Sequence, residues 1–230
     1  MMFRIVEETA EFLLVDKSPE VGFHREGDSD GLLQTVRREL RQPELYPVHR
    51  LDKITSGLVV FAKSAEVNRE LSMQFQARQV QKFYLAISVK KPKKKQGLIS
   101  GDMARSRRGS WKLMPSKQNP AVTQFFSQSL GAGERLFLLK PATGKTHQLR
   151  VALKSLGAAI LGDLLYGDEG QGDKAADRGY LHAYGLGFRL QGRDYRFICP
   201  PLQGHKFTGT AVTQALAAWG DPWAQSWPKL

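Results

Sequence analysis

The chain has 230 residues, 41% of them apolar and 24% charged, with 4 Trp, 6 Tyr and 12 Phe, so it can bury a core and wholesale disorder is excluded. That length suits one large domain or two tightly joined lobes. Lys and Arg number 34 against 22 Asp and Glu, and the net charge of +12 favours a polyanionic partner such as nucleic acid or an acidic membrane.

Two short strands are predicted at residues 3–6 and 12–15. The apolar run at 12–15 is too short, and its flanks too acidic, for a secretory signal. Asp30 reads as the N-cap of a helix with Leu32, Val36 and Leu40 on one stripe, ending near Pro43. Residues 57–63 form an apolar strand; Ser64 then caps a helix on which Val67, Leu71 and Phe75 repeat every four residues, with Glu66 favoured in its first turn. Further strands are expected at 82–89, 121–127, 135–139, 181–188 and 195–198, and a helix at 146–156. Residues 167–179 read as a mobile loop. The strands are not regularly separated by helices, so the expectation is an α+β fold with a mixed, largely antiparallel central sheet flanked by helices.

Charge is unevenly spread. Residues 1–30 sum to −5, whereas residues 90–117 carry ten bases against Asp102 alone, which predicts a basic insertion or hairpin there. A Trp-rich tail, with Trp219, Trp223 and Trp227, closes the chain, and Asp221 and Pro222 are placed as N-cap and first residue of a helix. Those tryptophans can stack on bases or pack against the domain; packing is the commoner fate. Cys199, the single cysteine, excludes an internal disulfide and a Cys-rich zinc cluster and fits a reducing compartment. No stretch approaches the roughly 20 apolar residues of a membrane span. The expected location is the cytoplasm, with monomer as the default and no obligate protein partner.

The most informative stretch is HRLDKITSGLVVFA, from His49, in which Arg50 and Asp52 precede a Thr-Ser-Gly turn and a buried strand. Farther on come KFYLA with Lys82 and Tyr84, and TGKTHQLR with Lys145, His147 and Arg150. Together these resemble the RluA-type pseudouridine synthases, whose HRLDxxTSG pattern is met at every specified position of 49–57. The similarity continues through KxYxA, a Gly-Leu-Ile at Gly97, AVT at Ala121, TGxTHQLRV at 143–151, LGDxLYG at 161–167 and LHA at Leu181, and so spans nearly the whole chain. The pattern departs from the family at Lys145 and Ala152, where TGRTHQLRVH is usual, and in DKSPEVGFH in place of NKPxGxxVH. An N-terminal S4-type RNA-binding domain is missing from the pattern.

The resemblance implies a pseudouridine synthase fold, a single catalytic domain over 1–230, an RNA substrate (tRNA or rRNA) and no cofactor or metal. It assigns Asp52 as the catalytic carboxylate, Tyr84 to the flipped uracil and Arg150 to an ion pair with Asp52. A cation beside a carboxylate keeps it ionised where burial would neutralise it. Arg50 is given the extrusion of the uridine, which costs a few kcal/mol. His49, Lys145, His147, Lys93, Lys94, Lys95, Arg105, Arg107 and Arg108 complete the expected RNA contacts.

Competing chemistries fit less well. TGKT resembles the end of a P-loop, but Leu139 stands where its first glycine must be. A two-carboxylate glycosidase needs a second acid near Asp52, and Asp163 and Asp168 lie in a segment that resembles a structural turn. The five histidines show no paired metal-ligand spacing. The rival from another class is a non-catalytic RNA-binding protein or RNA chaperone on the same fold.

Overall fold

A computed structural model describes residues 1–25, 27, 30–167 and 175–230. In chain order its elements begin with β1 (Phe3–Glu8), β2 (Phe12–Lys17), α1 (Leu32–Glu39), β3 (Tyr46–Pro47), β4 (Thr55–Ala62) and α2 (Ala65–Gln76). There follow β5 (Gln81–Ser88), β6 (Gln96–Gly101), β7 (Met103–Arg105), β8 (Trp111–Leu113), β9 (Ala121–Gly131), β10 (Glu134–Pro141) and α3 (Gln148–Ser155). The chain ends with β11 (Leu181–Leu190), β12 (Arg193–Ile198) and α4 (Thr210–Trp219). They pack as two compact units, residues 1–82 with 182–201 and residues 83–181 with 202–230.

In the first unit the strand order is β1-β2-β4-β11, with β3 paired to β4 and β12 to β11. The pairs β1–β2, β2–β4, β3–β4 and β11–β12 are all antiparallel. Every residue of β4 is buried, so its run cannot alternate as a half-exposed strand would. On one face Phe12, Leu14, Leu58 and Val60 meet Val67 and Leu71 of α2 and Leu186 and Phe188 of β11. Phe12 makes edge contacts with Phe188 and Tyr195, at 5.4 and 5.1 Å between centroids. Ser64 caps α2 as expected, its side chain accepting from Val67 N at 3.2 Å.

In the second unit β5, β10, β9 and β6 form an antiparallel sheet in that order, and β7 and β8 make a separate hairpin. The C-terminal tryptophans pack inward. Trp223 meets Phe83 edge-on at 4.9 Å and Trp227 stacks on it at 5.7 Å, with Lys140 Nζ 5.6 Å from Phe83 and 5.5 Å from Trp227.

The structure departs from expectation at several element ends. Gly31, not Asp30, is the N-cap of α1, and Asp30 instead forms an ion pair with Arg38. The third helix starts at Gln148 because His147 takes a left-handed conformation, φ 57°. The basic stretch, expected as an insertion or hairpin, contains β6 and the β7–β8 hairpin, whose individual strands no run of the sequence marked. A helix precedes Asp221 in place of following it: α4 ends at Gly220, and Asp221 Oδ1 accepts from Trp223 N at 2.9 Å in a turn. Of the expected loop at 167–179, residues 168–174, with Asp168, lie outside the described residues.

Among the described glycines of the first unit, Gly57 leaves the least room for a side chain. Its φ is +107°, and a Cβ there would stand 2.3 Å from the carbonyl oxygen and 2.6 Å from the nitrogen of Ala183. Both neighbours are backbone and cannot swing aside. Gly57→Ala should therefore lower the urea midpoint, at a cost of about 2–4 kcal/mol; wild-type stability in the variant would show that β4 and β11 tolerate separation there.

Candidate active site

Asp52 sits where the chain turns into β4. Thr55 N donates to the Asp52 carbonyl at 3.0 Å, closing the turn. Leu51 is buried and anchors the segment, Asp52 is half-buried, and Arg50 and Lys53 are exposed. Asp52 is thus held half-buried on a fixed turn, with an arginine two residues before it that is open to solvent.

Two side chains outside this turn hold it. Lys17 is fully buried at the end of β2, and its Nζ donates to the carbonyls of Ser18 at 3.0 Å, Val21 at 2.8 Å and Lys53 at 3.2 Å. An ammonium brought inside must find such acceptors, since burying it unpaired is prohibitively costly. The last of them belongs to the residue after Asp52. His49 acts from the other side: its Nε2 accepts from Val60 N at 3.1 Å, and its ring stacks on Phe75 at 4.6 Å. The far ring, Phe75, also carries Lys82 Nζ, 5.8 Å from its centroid. Burial, and secondarily the Lys82 charge, holds the His49 pKa down to about 3, so the imidazole is the neutral acceptor that Val60 requires.

The TSG and LHA motifs form one junction within this unit. Ser56 Oγ lies 2.7 Å from His182 Nδ1, and His182 Nε2 lies 2.7 Å from the Cys199 carbonyl. A carbonyl only accepts, so Nε2 carries the proton and Nδ1 accepts from Ser56. Asp16, His182 and Cys199 also bring one possible ligand atom each within 4.8 Å of one another, a cluster that sequence spacing does not reveal. Arg4 already lies there, 3.4 Å from Asp16 Oδ2 and 3.6 Å from Cys199 Sγ, and burial with the Asp16 charge pushes the thiol up to about 12. A protonated thiol beside a guanidinium is a poor cation ligand.

The other expected site residues lie in the second unit. Tyr84 is half-buried on β5, opposite Leu139 of β10, on the face that alternation sets against Phe83. Arg150 is buried on α3 and makes a bidentate pair with the fully buried Asp163, Nε to Oδ2 at 2.7 Å and the second nitrogen to Oδ1 at 2.8 Å. Asp163 Oδ1 also accepts from Leu165 N and Tyr166 N, at 3.0 and 3.2 Å. The guanidinium plane is thereby fixed.

Gln148 builds the TGKTHQLR turn. Its Oε1 accepts from Thr143 Oγ1 at 2.6 Å and Lys145 N at 3.0 Å, while Nε2 donates to the Val122 carbonyl and Thr123 Oγ1, both at 3.0 Å. Lys145 is half-buried, its ammonium donating to the Asn119 carbonyl, and His147 Nδ1 lies 2.8 Å from Tyr166 Oη. Lys93, Lys94, Lys95, Arg105, Arg107 and Arg108 are all exposed. The first three precede β6, and the arginines crown the β7–β8 hairpin. At its base Asp102 accepts from Gln118 N and Asn119 N, at 3.0 and 2.8 Å. A hydrogen bond from Ser116 is the largest of the contacts that hold its carboxyl below the usual range.

Sequence reasoning missed Lys17, Asp163 and Tyr166 as site-building residues.

A family model described as RNA pseudouridylate synthase matches residues 11–155. An "Uncharacterized RNA pseudouridine synthase" of Haemophilus influenzae is 47% identical over 204 residues, 89% of this chain and 90% of that one. The "Dual-specificity RNA pseudouridine synthase RluA" of Salmonella typhi is 34% identical over 161 residues, covering 69% and 72%. Among solved structures, "Human RNA Pseudouridylate Synthase Domain Containing 1" is similar with a TM-score of 0.73 and 27% identity, over 96% of both chains.

The neutral His49 yields a pH prediction. Its folded value, about 3, lies below the usual 6.5, so between those limits the unfolded chain binds the proton and the fold does not. Stability should therefore rise with pH from about 3 to 6.5, and His49→Gln, which can still accept from Val60, should lose that part of the slope in urea titrations. Equal slopes would show that His49 titrates freely in the fold.

Proposed function

The chain belongs to the RNA pseudouridylate synthase family, in its RluA-type branch, and we propose that it converts a specific uridine of structured tRNA or rRNA to pseudouridine with Asp52 as the catalytic carboxylate. Family membership makes it an enzyme acting on RNA, which displaces the reading as a non-catalytic RNA chaperone.

The reaction breaks the uracil N1–C1′ bond and forms a C5–C1′ bond, with a proton lost from C5 and one gained at N1. Nothing is oxidised or reduced, so no cofactor is needed for balance. Asp52 attacks as a nucleophile or abstracts a ribose proton. The resemblance gives Arg150, its guanidinium oriented by Asp163, the role of the cation that keeps such a carboxylate ionised. Tyr84 lies against the uracil and helps remove the C5 proton. Arg50, exposed beside Asp52, fills the space left by the extruded base and offsets part of the unstacking cost.

The observation that carries this reading is the Asp52 turn itself: a half-buried aspartate on backbone held by Lys17 at the adjoining carbonyl. Positional accuracy of this kind is what covalent catalysis demands. Affinity comes from elsewhere. Lys93, Lys94, Lys95, Arg105, Arg107 and Arg108 face solvent and take phosphates, and Lys145 and His147, which also bond to Asn119 and Tyr166, complete the RNA contacts beside α3. Residues 1–230 together act as the catalytic domain.

Two measurements test the reading. With unmodified tRNA and rRNA, Asp52→Asn should reduce pseudouridine formation by roughly 10³-fold or more; conversion at the wild-type rate removes Asp52 from the chemistry. Replacing Lys93, Lys94 and Lys95 with Ala should weaken RNA binding and reduce the slope of log affinity against log salt by about two to three. An unchanged slope would show that these lysines are merely solvated.

A further inference from the structure

Tyr166 joins the basic hairpin to the helix that carries Arg150. Its side chain is buried, and its two ends do different things. At the polar end, Trp111 N of β8 donates to Tyr166 Oη at 2.8 Å, and the same oxygen lies 2.8 Å from His147 Nδ1 at the start of α3. At the other end the Arg150 guanidinium lies over the ring, 4.9 Å from its centroid, in the plane set by Asp163.

The hairpin needs such a tie. β7 and β8 have three residues each, and a two-stranded ribbon of that length has little stability of its own. Trp111 stands opposite Arg105 in the ladder and receives its guanidinium at 5.5 Å from the ring. The bond from Trp111 to Tyr166 therefore fixes the strand that pairs with Arg105 and that follows the turn carrying Arg107 and Arg108. Asp102 secures the hairpin's base, but Tyr166 holds it near the tip.

We propose that Tyr166 is a positioning residue with two separable roles: its hydroxyl aligns the arginine-bearing hairpin for an RNA backbone, and its ring holds Arg150 for the reaction. This rests on the function proposed above, from which it can be separated experimentally. A charged tip that must match phosphates binds better when its orientation is fixed in advance. A ring under a guanidinium restricts its motion without neutralising it.

The test uses the full chain and unmodified total RNA, with the dissociation constant and the single-turnover rate of pseudouridine formation read separately. Tyr166→Phe keeps the ring and should raise the dissociation constant roughly three- to tenfold. Tyr166→Leu should raise it similarly and also lower the rate at saturating RNA by about tenfold or more. In a background with Arg105, Arg107 and Arg108 replaced by Ala, Tyr166→Phe should have no further effect on binding. An unchanged dissociation constant in Tyr166→Phe, an equal effect in the arginine-free background, or identical rates for the Phe and Leu variants would each overturn the proposal. A measurement on the wild-type chain needs no variant to fold: the Trp111 amide should be protected from hydrogen exchange before RNA is added, and exchange at an open-loop rate overturns the link. If the wild type makes no pseudouridine, the enzymatic reading fails, and the binding comparisons still decide the hairpin's dependence on Tyr166.

Discussion

Backbone that leaves regular structure loses its ladder partners, and inside a protein each stranded N–H or C=O must be paired or it costs a few kcal/mol. Among the proposed site residues, Asp52, Lys145 and His147 sit on such backbone. Lys17 answers the problem for the Asp52 turn by donating to three carbonyls. Gln148 answers it for the turn before α3, two bonds accepted and two donated. Asp163 receives two backbone N–H groups as well as Arg150, and Arg178 donates to the carbonyls of Gly179, Leu181 and Gln203. The sharpness of each turn follows from a polar side chain buried beneath it.

This explains why the motifs occur in sets. TSG and LHA meet through Ser56–His182 and through the close approach of Gly57 to Ala183. AVT and TGKTHQLR meet because Gln148 reaches Val122 and Thr123. LGDLLYG is the counterpart of the THQLR helix, Asp163 taking Arg150 and Tyr166 taking His147. HRLD and the lysine of KFYLA share Phe75 between them. Each junction pairs two motifs distant in sequence, so neither half has a physical reason when read alone.

The longer elements were legible because local pattern and burial agree in them. The strands around 12–15, 57–63, 82–89 and 135–139 are apolar runs bounded by turns, and α2 announces itself by Ser64 and its fourfold repeat. β6, β7 and β8 were hidden by their composition: lysine, serine and glycine mark a loop, and only pairing with Phe125, or of Arg105 with Trp111, makes strands of them. α4 carried a readable signal, an alanine-rich stretch closed by Gly220, but Asp221 and Pro222 placed the expected helix after it, where the chain only turns. Asp221 does cap, in a turn that goes no further. For the site, residue types were legible and neighbours were not, since Lys17, Asp163 and Tyr166 act through contacts that spacing does not encode.

Charge follows the same division. The net +12 reads as an affinity for polyanions, yet the interior holds Lys17, Arg135, Arg150 and Arg178 among the described residues, against Asp163 alone. Those cations are committed to carbonyls and a carboxylate, so part of the formal excess never faces solvent. Lys145 donates to a backbone carbonyl and His147 is engaged by Tyr166, although both lie in a motif that looks basic from sequence. Exposed positive charge is concentrated before β6 and at the hairpin tip, where short strands alone give it little orientation. Density of positive charge sets how strongly such a surface attracts a polyanion, and Tyr166, bonded to both Trp111 and His147, is one of the contacts that fix the hairpin's orientation against α3.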